Sequence, residues 1–322
     1  MPHLKTKIGT DIHIAAELLS ANNVVAIPTE TVYGLAGNIF SEKAIKLIFE
    51  VKQRPASNPL IVHVHQLEAL NDIVKVIPAE AKILLDAFAP GPLTLLLPKK
   101  AAVSDWVTAG LPDVAIRIPD QKLTLALIAE AGFPLAAPSA NPYTYISPTS
   151  AMHVFQMLDG RIPYILDGGS CRLGLESTII GFERGKPTLY RKGAITIEEI
   201  EDKIGKIKLP VSQKIVAPGM HLKHYSPKTK LILSDDPETD IHKYGNLKVG
   251  LITYNAYSNL LPCEQQILLC QQDDFKVAGA NLYGAMHLMD SMNYDMIIVR
   301  KFPETGIGLS INDRLNRAKA QR

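Results

Sequence analysis

The sequence predicts an α/β protein of two unequal domains joined by a basic linker, and three observations carry that prediction. Segments with helical apolar spacing alternate with short apolar runs over the first two hundred residues. Residues 203–234 then contain seven lysines and no Asp or Glu, and the alternation resumes on a smaller scale to the end of the chain. The 322 residues, 47% hydrophobic and 20% charged, supply apolar material for two cores and exclude a disordered or collagen-like chain. A formal net charge of +2 gives no global field for nucleic acid or an anionic membrane, so any anion site must be local. Three cysteines without paired spacing argue against a zinc site or a disulfide framework and for a reducing compartment. The first eleven residues lack the apolar stretch of a signal peptide, and charge, Gly or Pro interrupts every apolar run short of a membrane span. The expectation is a cytoplasmic protein.

The elements follow in order. Asp11 is placed to cap a helix whose Ile12, Ala15, Ala16 and Leu19 share one face, and residues 24–28 form a strand. Ala44, Leu47, Ile48 and Val51 repeat the helical spacing; residues 60–64, 93–97, 114–118 and 134–137 read as buried strands. Residues 177–182 and 188–191 lie too close for an intervening helix, which predicts an antiparallel pair and a mixed sheet closed by a helix after Thr196. In the tail, residues 231–233, 249–253, 266–269 and 296–299 read as strands, and Leu282, Ala285, Met289 and Met292 line one helical face.

Familiar nucleotide and hydrolase signatures are absent: there is no Walker sequence, no HExxH and no GxSxG, and Gly306 and Gly308 read as a strand-to-helix turn. What remains is a series of polar residues where strands stop. Thr29, Glu30, Thr31 and Tyr33 follow the first strand; capping threonines and a core tyrosine explain that segment as well as a ligand does. The proline-stiffened stretch at 52–59 holds Lys52, Arg54 and Asn58 and could grip phosphate, although Lys52 could simply end a helix. His63 sits in an apolar strand, where a satisfied core histidine is the commoner outcome. Arg117, inside another apolar strand, must find either a ligand carboxylate or an internal acid. Pro-Ser-Ala-Asn-Pro at 138–142, Asp-Gly-Gly at 167–169, Glu-Ser-Thr at 176–178 and Arg-Lys-Gly at 191–193 each serve as turns individually, yet together supply the donors a polyanion needs without a P-loop.

These segments, with Pro-Thr-Glu-Thr-Val-Tyr-Gly-Leu at 28–35, Lys-Gln-Arg-Pro at 52–55, Asn-Pro-Leu-Ile-Val-His-Val at 58–64, Leu-Glu-Ser-Thr-Ile at 175–179 and Tyr-Arg-Lys-Gly at 190–193, resemble in order the threonylcarbamoyl-AMP synthase family, the YrdC-type proteins. The linker sequence at 217–227 and the tail resemble its long members. The resemblance implies a YrdC-like twisted mixed sheet with helices at 1–206, a linker at 207–229 and a small Rossmann-like α/β domain at 230–322. It implies condensation of L-threonine, bicarbonate or CO2 and ATP to threonylcarbamoyl-AMP and pyrophosphate, a nucleotidyltransfer that feeds a separate transferase making threonylcarbamoyladenosine in tRNA. Carried over by position, it places Thr31, His63, Arg117, Ala137 and Ser177 at L-threonine, and Lys52, Arg54, Asn58, Ser139, Asn141, Ser147, Arg191 and Tyr225 at ATP. Lys52, Arg54 and Arg191, with Mg2+ accompanying ATP, are the expected stabilisers of phosphoryl charge, while the metal's ligands are not assigned. His63 and His224 are candidates for taking the ammonium proton, and Tyr225 for gating the nucleotide. Three departures stand out: Tyr143, Thr144 and Tyr145 replace a usual Ser-Gly after Pro142, Asp113 stands where a neutral hydroxyl is expected near the nucleotide, and Gln53 separates two key cations. The alternative is an RNA-binding module of the same fold, against which the near-neutral charge and the lack of aromatic runs count.

Overall fold

The computed structural model describes residues 4–210 and 224–319. The first domain is built on ten strands: β1 (Lys7–Gly9), β2 (Val25–Ile27), β3 (Gly34–Asn38), β4 (Ile61–His63), β5 (Leu93–Pro98), β6 (Asp113–Arg117), β7 (Leu135–Ala136), β8 (Tyr164–Leu166), β9 (Thr178–Glu183) and β10 (Lys186–Arg191). Their spatial order is β1-β8-β2-β3-β7-β4-β6-β5-β9-β10, with parallel and antiparallel neighbours mixed. The second sheet is wholly parallel: β11 (Lys230–Ser234), β14 (Met296–Arg300), β12 (Val249–Thr253) and β13 (Gln266–Leu268), in that order. A mixed α/β domain followed by a smaller α/β domain is therefore the architecture. Sequence periodicity misses β1, β3 and β8. β3 is Gly-Leu-Ala-Gly-Asn, whose two glycines read as loop chemistry but sit close to neighbours: a Cβ on Gly34 would lie 3.0 Å from Ala137 Cβ, and one on Gly37 3.0 Å from the end of the Ile48 side chain.

Local chemistry sets the boundaries that matter. Asp11 caps the helix Ile12–Ser20 by accepting from the His13 and Ile14 amides, and Ser41 caps Glu42–Lys52 at Ala44 N–H. Glu42–Lys52 ends because Gln53 adopts a left-handed backbone, φ 54°. Gln53 is thus the hinge that sends Lys52 and Arg54 toward the same region from either side of a turn, a role its position between two cations did not reveal. Thr196 and Glu199 form a reciprocal capping box that starts Ile197–Ile204. Its Ile200, with Ile195 and Ile204, packs into the first domain's core. Beyond it Lys208 runs beside β10, donating its N–H to the Pro187 carbonyl and accepting from Leu189 N–H at 2.8 Å.

The two domains share one apolar interface. Val32, Ile146 and Leu175 of the first domain join Leu282, Met286, Ile297 and Leu315 of the second in a single cluster with Tyr225. The helix Phe275–Ser291 approaches so closely that a Cβ on Gly174, whose φ is +64°, would lie 2.4 Å from the Ala280 carbonyl oxygen. Gly174→Ala therefore meets both a positive φ and a backbone clash, and is expected to cost about 1–3 kcal/mol, read as a lower Tm in calorimetry; an unchanged Tm would show the two domains are not seated as described.

Candidate active site

A cavity of about 50 Å³ opens against the first sheet, lined among others by Thr31, Arg54, Ile61, His63, Arg117, Ala137, Ser139, Ser177, Arg191 and Tyr225. Ile61 and His63 alternate along β4 and both face it, and His63 pairs in register with Arg117 of β6. The cavity thus gathers where strands stop: His63, Arg117 and Arg191 end β4, β6 and β10, Thr29 and Thr31 follow β2, Ala137 and Ser139 follow β7, and Ser177 precedes β9. All five residues expected at L-threonine reach it. Of those expected at ATP, Arg54, Ser139, Arg191 and Tyr225 line it, whereas Lys52, Asn58, Asn141 and Ser147 do not.

Those four are set behind the wall. Lys52, 1% exposed, directs Nζ to the Ser139 carbonyl at 2.6 Å and the Asn141 carbonyl at 2.5 Å, tying down the loop at 138–142. Asn141 Nδ2 closes the same loop by donating to the carbonyls of Pro142 and Tyr145. Ser147 Oγ donates to Glu176 at 2.8 Å. Asn58 is fully buried, and among the described residues neither its Oδ1 nor its Nδ2 has a partner. An amide so placed is costly unless something else uses it.

Charge dominates the surroundings. Lys52, Arg54, Arg117, Arg191 and Arg314 are each at most 7% exposed. Lys52 and Arg54 meet only neutral oxygens, Arg54 donating from Nε to Asn58 O and from Nη2 to Pro59 O, and among the described residues no carboxylate lies within ion-pair distance of either. Burial, then the neighbouring Arg54, holds Lys52 well below the usual lysine range, and burial lowers Arg54 and Arg191 to about 10. Arg191 donates to Ser177 through both its carbonyl and its hydroxyl, at 3.0 and 2.9 Å.

Arg117 departs from expectation. Its Nη2 lies 2.7 Å from Glu30, both ends almost fully buried, while Nε donates to Gly91 O and Nη1 to Thr31 Oγ1 at 2.9 Å. The contact with Glu30 is an ion contact outside aligned hydrogen-bond geometry. The internal acid is thus the partner of Arg117, so a ligand carboxylate arriving there meets a neutral pair and not a bare cation. Thr29 and Tyr33 are structural: Thr29 Oγ1 accepts from the Thr31 and Val32 amides, and the Tyr33 hydroxyl donates to Gly169 O at 2.7 Å and accepts from Gly168 N–H. Thr29 and Thr31 both line the cavity, with the Thr31 hydroxyl 2.8 Å from Thr29 Oγ1 and accepting from Arg117.

Neither candidate base fits the task. Burial and then Arg117 lower His63 to about 3, and burial with Arg54, Lys52, Arg191 and Arg314 holds His224 well below 6.5. Both are neutral at physiological pH and too weakly basic to take an ammonium proton. Asp113 is exposed at the start of β6, four residues from Arg117 along the strand, and is not among the cavity residues. The unusual Tyr143-Thr144-Tyr145 loop has a clear function: Thr144, φ 72°, accepts Ser226 N–H at 2.8 Å, and Tyr143 meets His224 edge-on. Where the family commonly has glycine, Thr144 adopts the backbone glycine favours. The expectation that the whole acid-free linker crosses the site falls largely on residues 211–223, outside the described residues; His224 and Tyr225 at its end do lie over the cations.

Tyr283 and Arg314 are residues sequence reasoning did not single out, and it named Glu30 and Glu176 within polar segments without giving either a partner. Arg314 carried one signal, its place in the buried stripe of Ile311, Leu315 and Ala318 on the helix Gly306–Ala318. The carboxylates beside the cavity are already engaged, Glu30 by Arg117 and Glu176 by Arg314, and no group of three potential metal ligands occurs among the described residues. The residues present do not fit a resident metal.

The site is thus a polar cavity on a mixed α/β sheet, walled by the buried Arg54, Arg117 and Arg191 and covered by His224 and Tyr225. The comparisons sharpen this. Residues 17–193 match the family described as telomere recombination, and residues 195–320 the threonylcarbamoyl-AMP synthase C-terminal domain. The chain is 43% identical to threonylcarbamoyl-AMP synthase of Bacillus subtilis, covering 96% of this chain and 92% of that one, and 40% identical to that of Pyrococcus abyssi over 97% and 94%. Its structure superposes on the crystal structure of P. abyssi Sua5 complexed with L-threonine with a TM-score of 0.89, at 38% identity, covering 98% and 97% of the two chains. The chain belongs to the threonylcarbamoyl-AMP synthase family.

The depressed His63 sets a pH test. Its folded pKa lies below its unfolded value, so the stability it confers is present above about pH 6.5 and is lost as pH falls toward about 3. Denaturant titrations between pH 7 and 4 are expected to show His63→Gln losing less stability than the parent; parallel curves would contradict the burial of a neutral imidazole.

Proposed function

We propose that this chain joins L-threonine, bicarbonate or CO2 and ATP into L-threonylcarbamoyl-AMP, releasing pyrophosphate. The observation that carries the proposal is the buried group of Lys52, Arg54 and Arg191, two of them held only by neutral oxygens, beside a cavity lined with hydroxyls, an imidazole and a buried guanidinium. A surplus of positive charge out of water is stabilised by a polyanion. In the reaction the threonine amine, its proton lost to solvent, bonds to CO2, or to bicarbonate with loss of water, and an oxygen of the resulting carbamate bonds to the α-phosphorus as the bond to the β-phosphate oxygen breaks and pyrophosphate leaves with the electron pair. Arg54 and Arg191 are placed to meet charge growing on those oxygens, and Lys52 to hold the 138–142 loop against them. Thr31, Ser177 and neutral His63 offer hydrogen-bond partners to threonine, with Arg117 contributing the donors Glu30 leaves free. The crystal structure of a close relative with L-threonine supports this half of the reading. Magnesium enters with the triphosphate as its counterion.

The cavity's volume, about 50 Å³, is far below the roughly 300 Å³ of small ligand sites. Tyr225, 1% exposed with φ 66°, and His224 fill the space over the cations, so nucleotide entry requires them to withdraw. Three free cysteines suit a reducing, cytoplasmic setting, and no described helix is long and apolar enough to cross a membrane. The labile adenylate suits direct use by a transferase acting on tRNA.

Pyrophosphate release from ATP, with threonine and bicarbonate omitted in turn, tests the reaction: dependence on both is expected, and release dependent on neither contradicts it. In the same assay Asn58→Leu is expected to raise KM for ATP about tenfold or more while leaving stability equal or higher, because the parent amide is buried without a partner among the described residues.

A further inference from the structure

The cavity is lined by first-domain residues together with His224 and Tyr225, but one side chain of the second domain reaches the back of its wall. Arg314, 1% exposed, donates from Nε to Glu176 at 2.7 Å and from Nη2 to the Lys192 carbonyl at 2.7 Å. Glu176 and Lys192 are the immediate chain neighbours of Ser177 and Arg191. One planar guanidinium therefore pins together the start of β9 and the end of β10, which carry those two candidate residues. The same helix adds Ser310 Oγ, which donates to Gly193 O at 2.8 Å. Gly193 in turn sits so close that a Cβ would lie 2.4 Å from Ser177 backbone. Glu176 is held further by Ser147 Oγ and by the Tyr283 hydroxyl at 3.0 Å. Burial pulls its carboxyl upward, but Arg314 and then Arg191 outweigh that and keep it ionised. On its other side the Arg314 guanidinium lies 5.3 Å from the ring of Tyr225, which stacks on Tyr283.

We propose that Arg314 is a positioning residue of the adenylate-forming site, through which the second domain sets the spacing of Ser177 and Arg191 and braces Tyr225. The inference rests on the function proposed above. A bidentate fork can hold a carboxylate and a carbonyl at once, whereas a lysine ammonium on a flexible stem supplies a point charge. Arg314→Lys thus keeps the charge facing Glu176 and loses the clamp.

The test uses the full chain, with steady-state pyrophosphate release measured well below Tm. Arg314→Lys is expected to raise KM for L-threonine and for ATP, lowering kcat/KM about tenfold for each. Ile298→Ala, which opens the second domain's separate apolar cluster of Ile241, Val249, Leu251 and Met296, provides the comparison: it lowers Tm and leaves both KM values unchanged. Arg314→Gln strands a buried carboxylate and can fail to fold; the double variant Glu176→Gln with Arg314→Gln removes both charges, and is expected to fold and still show the raised KM values. Parental kinetics in Arg314→Lys or in the double variant, or the same KM rise in Ile298→Ala, overturns the inference while leaving the proposed reaction standing. A parent chain with no threonine-dependent release overturns both.

Discussion

The structure depends on holding positive charge out of water without matching it to acid. Lys52 and Arg54 flank the left-handed Gln53 and are satisfied by main-chain oxygens of the 138–142 loop and of residues 58 and 59. Carbonyl dipoles ease the cost of burial but leave the charge in place. The arrangement is therefore tense in the absence of an anion, and that tension is what a phosphate chain would relieve. Carboxylates are present nearby, but each is already committed: Glu30 to Arg117 and Glu176 to Arg314. The division is chemically sensible, since an acid free to pair with Lys52 or Arg54 would compete with the substrate.

The second domain completes this arrangement from outside. Its helices Phe275–Ser291 and Gly306–Ala318 bury Tyr283 and Arg314 against Glu176, and Tyr225 is sandwiched in the same cluster. The contact is close because glycine stands at 174, where a side chain would strike the main chain of Ala280. A tail of this kind backs the cavity wall through Glu176 and is not a solvated appendage. The aromatic closure also explains the tolerance for Tyr143 and Tyr145: the loop they occupy receives His224 and Ser226.

Much of this is legible in the amino-acid sequence because it is local. The mixed sheet follows from the spacing of apolar runs and the missing helix between β9 and β10, and the threonine-side residues gather as their motif order implies. What escapes is non-local. Nothing beside Arg117 in the chain announces that Glu30, eighty-seven positions earlier, neutralises it. Arg314 meets Glu176 across 138 positions, and only an arginine within an apolar helical stripe hints at a buried partner. Protonation is equally hidden: His63 and His224 resemble bases until burial among cations is seen to make them weak ones. Lys52, Asn141 and Ser147 belong to the site's motifs, yet they act by fixing other groups.

Because a ligand that binds the folded state alone stabilises it in proportion to the logarithm of its concentration, the buried surplus of charge can be read directly as heat stability. The decisive measurement is the Tm of the purified chain against rising inorganic pyrophosphate at constant ionic strength. A steady upward shift, absent when Arg54 is replaced by Met, is the result expected of cations held for a polyphosphate. A Tm that stays level across the titration would mean that the main-chain oxygens already satisfy them, and the reading of the site as a phosphate cradle would be wrong.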